Sequence, residues 1–157
     1  MVVQILCHNF NREDGPTFYN LSSLKLFGGI SSEWYAWREV RLLLFRAPKL
    51  QILTFEWKHL FGLSIYKPNP YLEEPLDVPE CLSSHLTTCH YKGFEGKEEE
   101  MELVRQILEA AKVLKSMKIS VTSCLGLKSK LLIREKLGKY QRSSQNCEIA
   151  FEEGRFT

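Results

Sequence analysis

The sequence lacks several features that would assign it to a common functional class. It contains no run of about 20 apolar residues, which a membrane-spanning helix needs, and no basic leader before an apolar core. The net charge is only +2, too small to predict a nucleic-acid or membrane partner by itself. The GxxxxGK and GxSxG motifs of phosphate-binding and hydrolase sites are missing. The sequence therefore gives no support for an enzyme.

The sequence has five cysteines, an odd number: Cys7, Cys81, Cys89, Cys124 and Cys147. Small secreted proteins held together by disulfides usually carry an even number of cysteines behind a secretory leader. We therefore expect free thiols rather than a disulfide framework. This pattern favours a reducing compartment, the cytoplasm or the nucleus.

A repeated apolar pattern is the strongest signal that is present. Apolar residues make up 44% of the sequence, enough for a real core. Four segments place an apolar residue, two spacers, a second apolar residue, one spacer and a third; they are LSSLKL from Leu21, LQILTF from Leu50, LTTCHY from Leu86 and LKSMKI from Leu114. Their starts lie about 28 to 36 residues apart, at or beyond the long end for leucine-rich repeats. A weaker copy, VQILCH, begins at Val3.

Helices are predicted between these strands, because apolar residues recur there at helical spacing. One helix is predicted within residues 31–48, with Pro48 at its end. Another is predicted over 128–141, followed by a last strand over 147–151. The span 62–77 is rich in proline and predicts a connector without regular structure.

The acidic cluster at residues 98–100, three consecutive glutamates, admits two interpretations. It can be the first turn of a helix whose apolar stripe runs from Met101 to Leu114, where carboxylates meet the positive end of the helix dipole. Lys112 and Lys115 would then lie near the negative end. A metal site would need several converging oxygen ligands, and only this one stretch supplies them. We therefore interpret the cluster as a helix start.

Three blocks, in this order, resemble the FBD domain of plant F-box proteins: VPECLSSHL (78–86), GFEGKEEEMELVRQILEAAKVLKSMKI (93–119) and QRSSQNCEIAF (141–151). Upstream, FYNLSSLKLF and WREVRLLLFRAPKLQILTFEW resemble the repeats that precede this domain in F-box/FBD/LRR-repeat proteins. The expected fold is α/β: a short leucine-rich-repeat solenoid with parallel strands on one face and helices on the other, closed by an FBD domain.

The resemblance implies a domain division and a function. Residues 1–61 would be partial leucine-rich repeats, 62–77 a connector and 78–152 the FBD domain. In the family, the F-box binds the Skp-type adaptor of an SCF ubiquitin ligase, and the repeats are thought to select the substrate. These residues resemble only the selecting half, so we expect a non-enzymatic protein-interaction module with no cofactor and no Skp-type adaptor binding. A truncated product without stable function is the alternative.

The expected partner-binding residues are the spacers between the second and third apolar positions, because strand alternation sends them outward. They are Lys25, Thr54, His90 and Lys118. Stacked in adjacent strands they would form one row, cationic at both ends, with a histidine that titrates near neutral pH. The row predicts a protein partner with an acidic segment, although it could also be merely solvated.

Two other constellations could bind ligands. A zinc site is conceivable at Cys81, His85, Cys89 and His90. However, Cys89 and His90 should point to opposite faces of one strand, and zinc usually needs four converging ligands.

A basic helix over 128–142 could bind nucleic acid through Lys128, Lys130, Arg134, Lys136, Lys139 and Arg142. Only one aromatic residue, Tyr140, lies among these cations and no known nucleic-acid motif is present, so a solvated helix face is the preferred interpretation.

Overall fold

The computed structural model describes residues 2–6, 17–28, 37–57, 78–122 and 125–153. Its six strands are β1 Val2–Leu6, β2 Ser23–Gly28, β3 Ile52–Trp57, β4 Thr88–Phe94, β5 Ser116–Val121 and β6 Glu148–Glu153. Its four helices are α1 Trp37–Leu44, α2 Glu80–Ser84, α3 Glu98–Ala110 and α4 Leu127–Lys139. The predicted connector, residues 62–77, lies outside the described residues.

All six strands form one sheet, in which each strand pairs in parallel with its neighbour along the chain. Parallel neighbours need a long connection that returns the chain to the same end of the sheet. The repeat interval provides that length, and α1, α3 and α4 each lie in one such connection. The predicted α/β architecture with parallel strands is therefore confirmed.

Two ladders of apolar side chains cross the sheet and form the centre of the core. The register aligns Leu24, Leu53, Cys89, Met117 and Ile149 in one ladder, and Leu26, Phe55, Tyr91, Ile119 and Phe151 in the other. In β2 to β5 these side chains are at most 1% exposed. The first leucines of the four units, Leu21, Leu50, Leu86 and Leu114, are equally buried. All three apolar positions of the repeat thus serve the core.

The bends that lead into the strands are also stacked. The backbone carbonyls of Ser22, Gln51 and Thr87 each accept two N–H groups from the residues that begin the next strand, at 2.8 to 3.1 Å. Each bend therefore satisfies backbone donors of the next bend, which would otherwise be left without partners. The stacking fixes the register of successive strands at their N-terminal ends.

The weaker N-terminal copy, VQILCH, has a different register from the predicted one. A copy that begins at Val3 would align Val3 with Leu21, the first position of the repeat. In the sheet, however, Val3 pairs with Leu24 and Ile5 with Leu26. The strand itself was expected correctly. The error arose because Val3, Ile5 and Leu6 are all apolar, so the pattern alone did not distinguish the first position from the second.

Helix boundaries differ from the predictions in three places. α1 ends at Leu44, four residues before Pro48, so turns rather than the proline follow the helix directly. α3 ends at Ala110, and Lys112 and Lys115 therefore lie beyond its last turn. The five-residue helix α2 was not predicted, because its two apolar residues are too few to show a helical period.

Candidate partner-binding site on the strand face

The four predicted partner-binding residues lie side by side in the sheet. Lys25 is aligned with Thr54, Thr54 with His90, and His90 with Lys118. Each occupies a position between two buried ladder residues, and all four are partly exposed. We call this line the central row. The structure thus brings the four predicted residues together in one line.

A second polar line, two residues further along each strand, runs beside the central row. It comprises Glu56, Lys92, Ser120 and Glu152, and we call it the flanking row. Lys25 Nζ lies 2.7 Å from Glu56 Oε2, and Lys118 Nζ lies 3.2 Å from Glu152 Oε2. The cations at the ends of the central row are therefore neutralised by carboxylates. The repeat pattern did not predict these ion pairs. The outward positions of the flanking row could have been found from the sequence, because each lies two residues after a position in line with the central row in the same strand.

His90 lies in the central row, between Thr54 and Lys118 in the register. Its Nε2 and the Ser120 Oγ share a hydrogen bond of 2.9 Å. Partial burial lowers the pKa of His90, and the nearby Lys92 and Lys118 lower it further, against weaker opposing effects of Glu152 and Glu56. These surroundings shift the pKa of His90 below its ordinary value of 6.5, so the histidine favours its neutral form more than an exposed imidazole does.

Lys92 is the central cation of the flanking row. It lies between Glu56 and Ser120 in the register, but it makes no ion pair with any residue in the described ranges. Because the lysines at the ends already have carboxylate partners, Lys92 is the position on this face where an added carboxylate would gain most. An acidic partner group is therefore best placed at the centre of the strand face rather than at its ends.

A third line of outward residues borders the central row on the other side. It contains Ser23, Ile52, Thr88, Ser116 and Glu148. Ile52 is 41% exposed and gives the face an apolar contact point beside small hydroxyl side chains. The arrangement supplies hydrogen bonds, ion pairs and one apolar contact, which suits protein recognition.

The acidic cluster is a helix start, as predicted, but one of its members has a further structural role. Glu100 is 1% exposed. Its Oε1 accepts the backbone N–H groups of Glu95 and Lys97 at 3.1 and 3.0 Å, and its Oε2 accepts the Tyr91 hydroxyl at 2.8 Å. Burial raises the pKa of Glu100 despite these bonds. The carboxylate thus completes half of a capping box and ties α3 to β4.

The residues considered for zinc do not form a site. Cys89 is buried in a core ladder, whereas His90 faces outward in the central row, as strand alternation predicted. Burial raises the pKa of Cys81 to about 12 and that of Cys89 further, so neither thiol readily becomes a ligand. Within the described part of the chain, no group of three or more metal-binding side chains converges.

The basic helix has few cations available for a polyanion. Lys130 pairs with Glu153 and Lys139 with Glu135, each at 3.0 Å. The Arg134 guanidinium lies 5.3 Å from the centre of the Phe151 ring. Arg142 Nη1 donates to the Cys147 carbonyl at 2.8 Å. Lys128 and Lys136 are exposed, and two separated lysines are a weak electrostatic footprint for nucleic acid.

Comparison with known proteins confirms the resemblance found in the sequence. The family model described as FBD matches residues 73–119. Two F-box/FBD/LRR-repeat proteins of Arabidopsis thaliana are 34% and 32% identical to the chain over 148 residues, which cover 88% of it. A third is 33% identical over 138 residues, or 86% of the chain. The chain therefore contains an FBD region and is related to plant F-box/FBD/LRR-repeat proteins over most of its length.

The relatives are much longer than this chain. It spans 31% of the length of the first two and 30% of the third, so about a third of each. No solved structure matches the chain. No helix in the described ranges is both long enough and apolar enough to cross a membrane.

Proposed function

We propose that this chain, related as it is to F-box/FBD/LRR-repeat proteins, is a non-enzymatic protein-interaction module similar to the substrate-recognition part of an F-box protein of an SCF ubiquitin ligase. Residues 1–61 form partial leucine-rich repeats, 62–77 a connector and 78–152 the FBD domain, and together they make one short solenoid. The module acts in the cytoplasm or nucleus, where its buried thiols stay reduced.

The observation that carries this proposal is the register of the central row. Four outward side chains from β2 to β5 are aligned, and strands of a sheet lie about 4.8 Å apart. The row therefore offers a continuous polar surface over four strands. Solenoid proteins commonly bind partners on the extended surface that their strands create.

The charges on the two rows indicate the kind of partner segment. Glu56 and Glu152 already neutralise the lysines beside them, so these pairs favour a partner with polar rather than strongly charged groups at both ends. At the centre, Lys92 can pair with a carboxylate, and the imidazole of His90 can take a hydrogen-bonding group. The partner is thus a protein segment with one central acidic residue flanked by polar residues.

The test is a double variant in the middle of the strand face. Lys92→Glu reverses the central charge, and Thr54→Arg places a bulky cation in the central row. The matched control, Lys128→Glu with Ser129→Arg, makes the same changes of charge on the exposed side of α4. Proximity labelling in cells, with each chain fused to the same labelling enzyme, compares the proteins captured.

We expect the strand-face variant to lose most of the labelled proteins and the control to keep them. Circular dichroism and thermal melting show whether both variants retain the fold. An unchanged set of labelled proteins with the fold intact would contradict the proposal. Loss by the α4 control instead would assign recognition to the basic helix, and salt-dependent retention on a polyanion would then identify nucleic acid.

A further inference from the structure

The outer edge of β6 is open within the described part of the chain. β6 pairs with β5 and with no other described strand. The Glu148 N–H donates to the Lys115 carbonyl at 3.0 Å, so the backbone groups of Glu148 face β5. The direction alternates along a strand, and the N–H and C=O groups of Ile149 and Phe151 therefore face away from β5. They present donors and acceptors to a further strand.

The two core ladders are only partly covered where they end at this edge. Met117 and Ile119 in β5 are 0% exposed, whereas their aligned neighbours Ile149 and Phe151 in β6 are only partly buried. α4 continues the apolar surface beyond them, with Leu127 71% and Leu131 55% exposed. A further strand would extend both ladders and cover this surface.

A groove runs between α4 and β6 beside the open edge. One part, of about 180 Å³, is lined by Arg134, Leu137, Gly138, Arg142, Ile149 and Phe151. An adjoining part of about 130 Å³ includes Leu127, Leu131 and Glu153. Side chains projecting from an added strand toward the core would enter this groove. Their apolar atoms would contact the floor formed by Leu137 and Ile149.

We propose that β6 is a docking edge, which binds an extended segment of a partner protein as a seventh, parallel strand. Such strand addition uses main-chain hydrogen bonds for affinity and alternate side chains for specificity. The proposal concerns a surface separate from the central row, so it stands whether or not the strand face binds a partner.

The charges around β6 specify the sequence pattern of that segment. Glu148 and Glu152 project on the outward face of the strand and both are exposed; Glu152 already pairs with Lys118 at 3.2 Å, whereas Glu148 makes no ion pair with a described residue. Neither of the arginines that line the groove, Arg134 and Arg142, makes an ion pair with a described residue. Basic side chains are thus favoured on the outward side and disfavoured in the groove. The segment reads basic, apolar, neutral, apolar, basic.

A second copy of this chain is a poorer occupant. Pairing β6 with β6 of another copy about a two-fold axis makes the strands antiparallel. Centred on Ala150, this arrangement places Glu148 opposite Glu152 at two points. Like charges directly opposite each other in a sheet are destabilising.

The experiment uses two synthetic peptides of identical composition, SKVTFKS and SVKTKFS in one-letter code. The first has the proposed pattern. In the second, valine and phenylalanine are four positions apart, so no register places both at adjacent groove positions. Each is added to the complete, isotope-labelled 157-residue chain, and hydrogen exchange of individual amides is followed by NMR.

We expect SKVTFKS to slow exchange of the Ile149 and Phe151 amides by at least about tenfold, since these N–H groups gain partners. SVKTKFS leaves them unchanged. Glu148→Lys, at an exposed position, weakens binding of SKVTFKS at least about tenfold by replacing attraction with repulsion. The Lys92→Glu, Thr54→Arg variant binds this peptide as the unmodified chain does, which separates this proposal from the strand-face one.

Three outcomes would overturn the docking edge. One is equal protection by both peptides, or by neither. Another is concentration-dependent dimerisation without peptide, seen by sedimentation, that protects the same two amides. The third is protection of these amides by a single-stranded oligonucleotide but not by SKVTFKS.

Discussion

Glu98 and Glu100 are two residues apart in the first turn of α3, yet their side chains meet different surroundings. Glu98 is exposed to solvent, whereas Glu100 is buried beneath the turn that links β4 to the helix. Glu100 serves two backbone donors and the hydroxyl of Tyr91, a residue of the second core ladder. A single carboxylate therefore holds a turn, a helix and a strand together.

The first prediction compares alanine substitutions at these two glutamates. Glu100→Ala removes the carboxylate that accepts hydrogen bonds from two backbone N–H groups and from the Tyr91 hydroxyl, and a hydrogen bond to a charged group contributes about 1.5–3 kcal/mol. Glu98→Ala removes only a favourable interaction with the helix dipole, about 0.3–1 kcal/mol. The free energy of unfolding, measured by urea denaturation, should therefore fall much more for Glu100→Ala.

Glu100→Gln refines this comparison. The amide keeps an oxygen that can accept the two backbone N–H groups, and it removes the buried charge that raises the pKa of Glu100. We expect a smaller loss than for alanine. Equal losses for Glu98→Ala and Glu100→Ala would show that the buried hydrogen bonds do not contribute to stability.

The two glutamates show which properties of a single residue the sequence could predict and which it could not. Acids before an apolar stripe indicate a helix start, because their local surroundings are enough to explain them. The burial of Glu100 depends on Tyr91 and on the turn at Glu95 to Lys97, which come together only in the fold. The same limit hid the pairing of Lys25 with Glu56, which lies on another strand.

Two glycines lie where β4 leads into α3, Gly93 within the strand and Gly96 in the turn that follows it. Gly93 and Gly96 have φ values of 80° and 79°, in the left-handed region that favours glycine. A Cβ on Gly96 would lie 2.5 Å from the Cδ1 atom of Ile133, a buried residue of α4. Gly96 thus allows α4 to pack against this turn.

The second prediction contrasts two glycine-to-alanine substitutions. Gly96→Ala should destabilise the chain by at least about 1–2 kcal/mol, since left-handed backbone is strained for other residues and Ile133 must shift. Gly138→Ala should stabilise it by about 0.5–1 kcal/mol, because Gly138 lies inside α4 with nothing within 4 Å of its Cβ position. Thermal and urea unfolding measure both changes.

Opposite signs for the two glycines are the informative result. If Gly96→Ala were neutral, the left-handed turn would not limit the packing of α4.

At the scale of elements, the sequence predicted the strands and their order well, because a repeat fixes both. It missed α2 and the end of α3, since short helices and helix ends depend on contacts that periodicity does not record.

The whole molecule has a nearly one-dimensional connectivity. Within the described part of the chain, each strand pairs only with the strands next to it in sequence, from β1 to β6. The central strands β3 and β4 have partners on both sides and full burial of their ladder residues, whereas β1 and β6 have one partner each among the described strands. Stability in such an arrangement is close to a sum of units and their interfaces.

The third prediction follows from this connectivity. Amide hydrogen exchange should be slowest in β3, β4 and β5 and at least about tenfold faster in β1 and β6, because edge strands open with less of the molecule disrupted. Exchange measured by NMR at low denaturant reports these opening free energies. Uniform protection across all six strands would mean that the molecule unfolds as one cooperative unit.

The stacked bends have a consequence for how such a protein can change in length over generations. The carbonyls of Ser22, Gln51 and Thr87 make the same pair of bonds to the following bend, so each junction is interchangeable with the next. Duplicating one whole unit would recreate a junction of the same kind and leave the others intact. Insertion of one residue inside a strand would instead send every later side chain of that strand to the wrong face. Gene duplication can therefore lengthen this protein in steps of a unit, while most smaller insertions are confined to the connections.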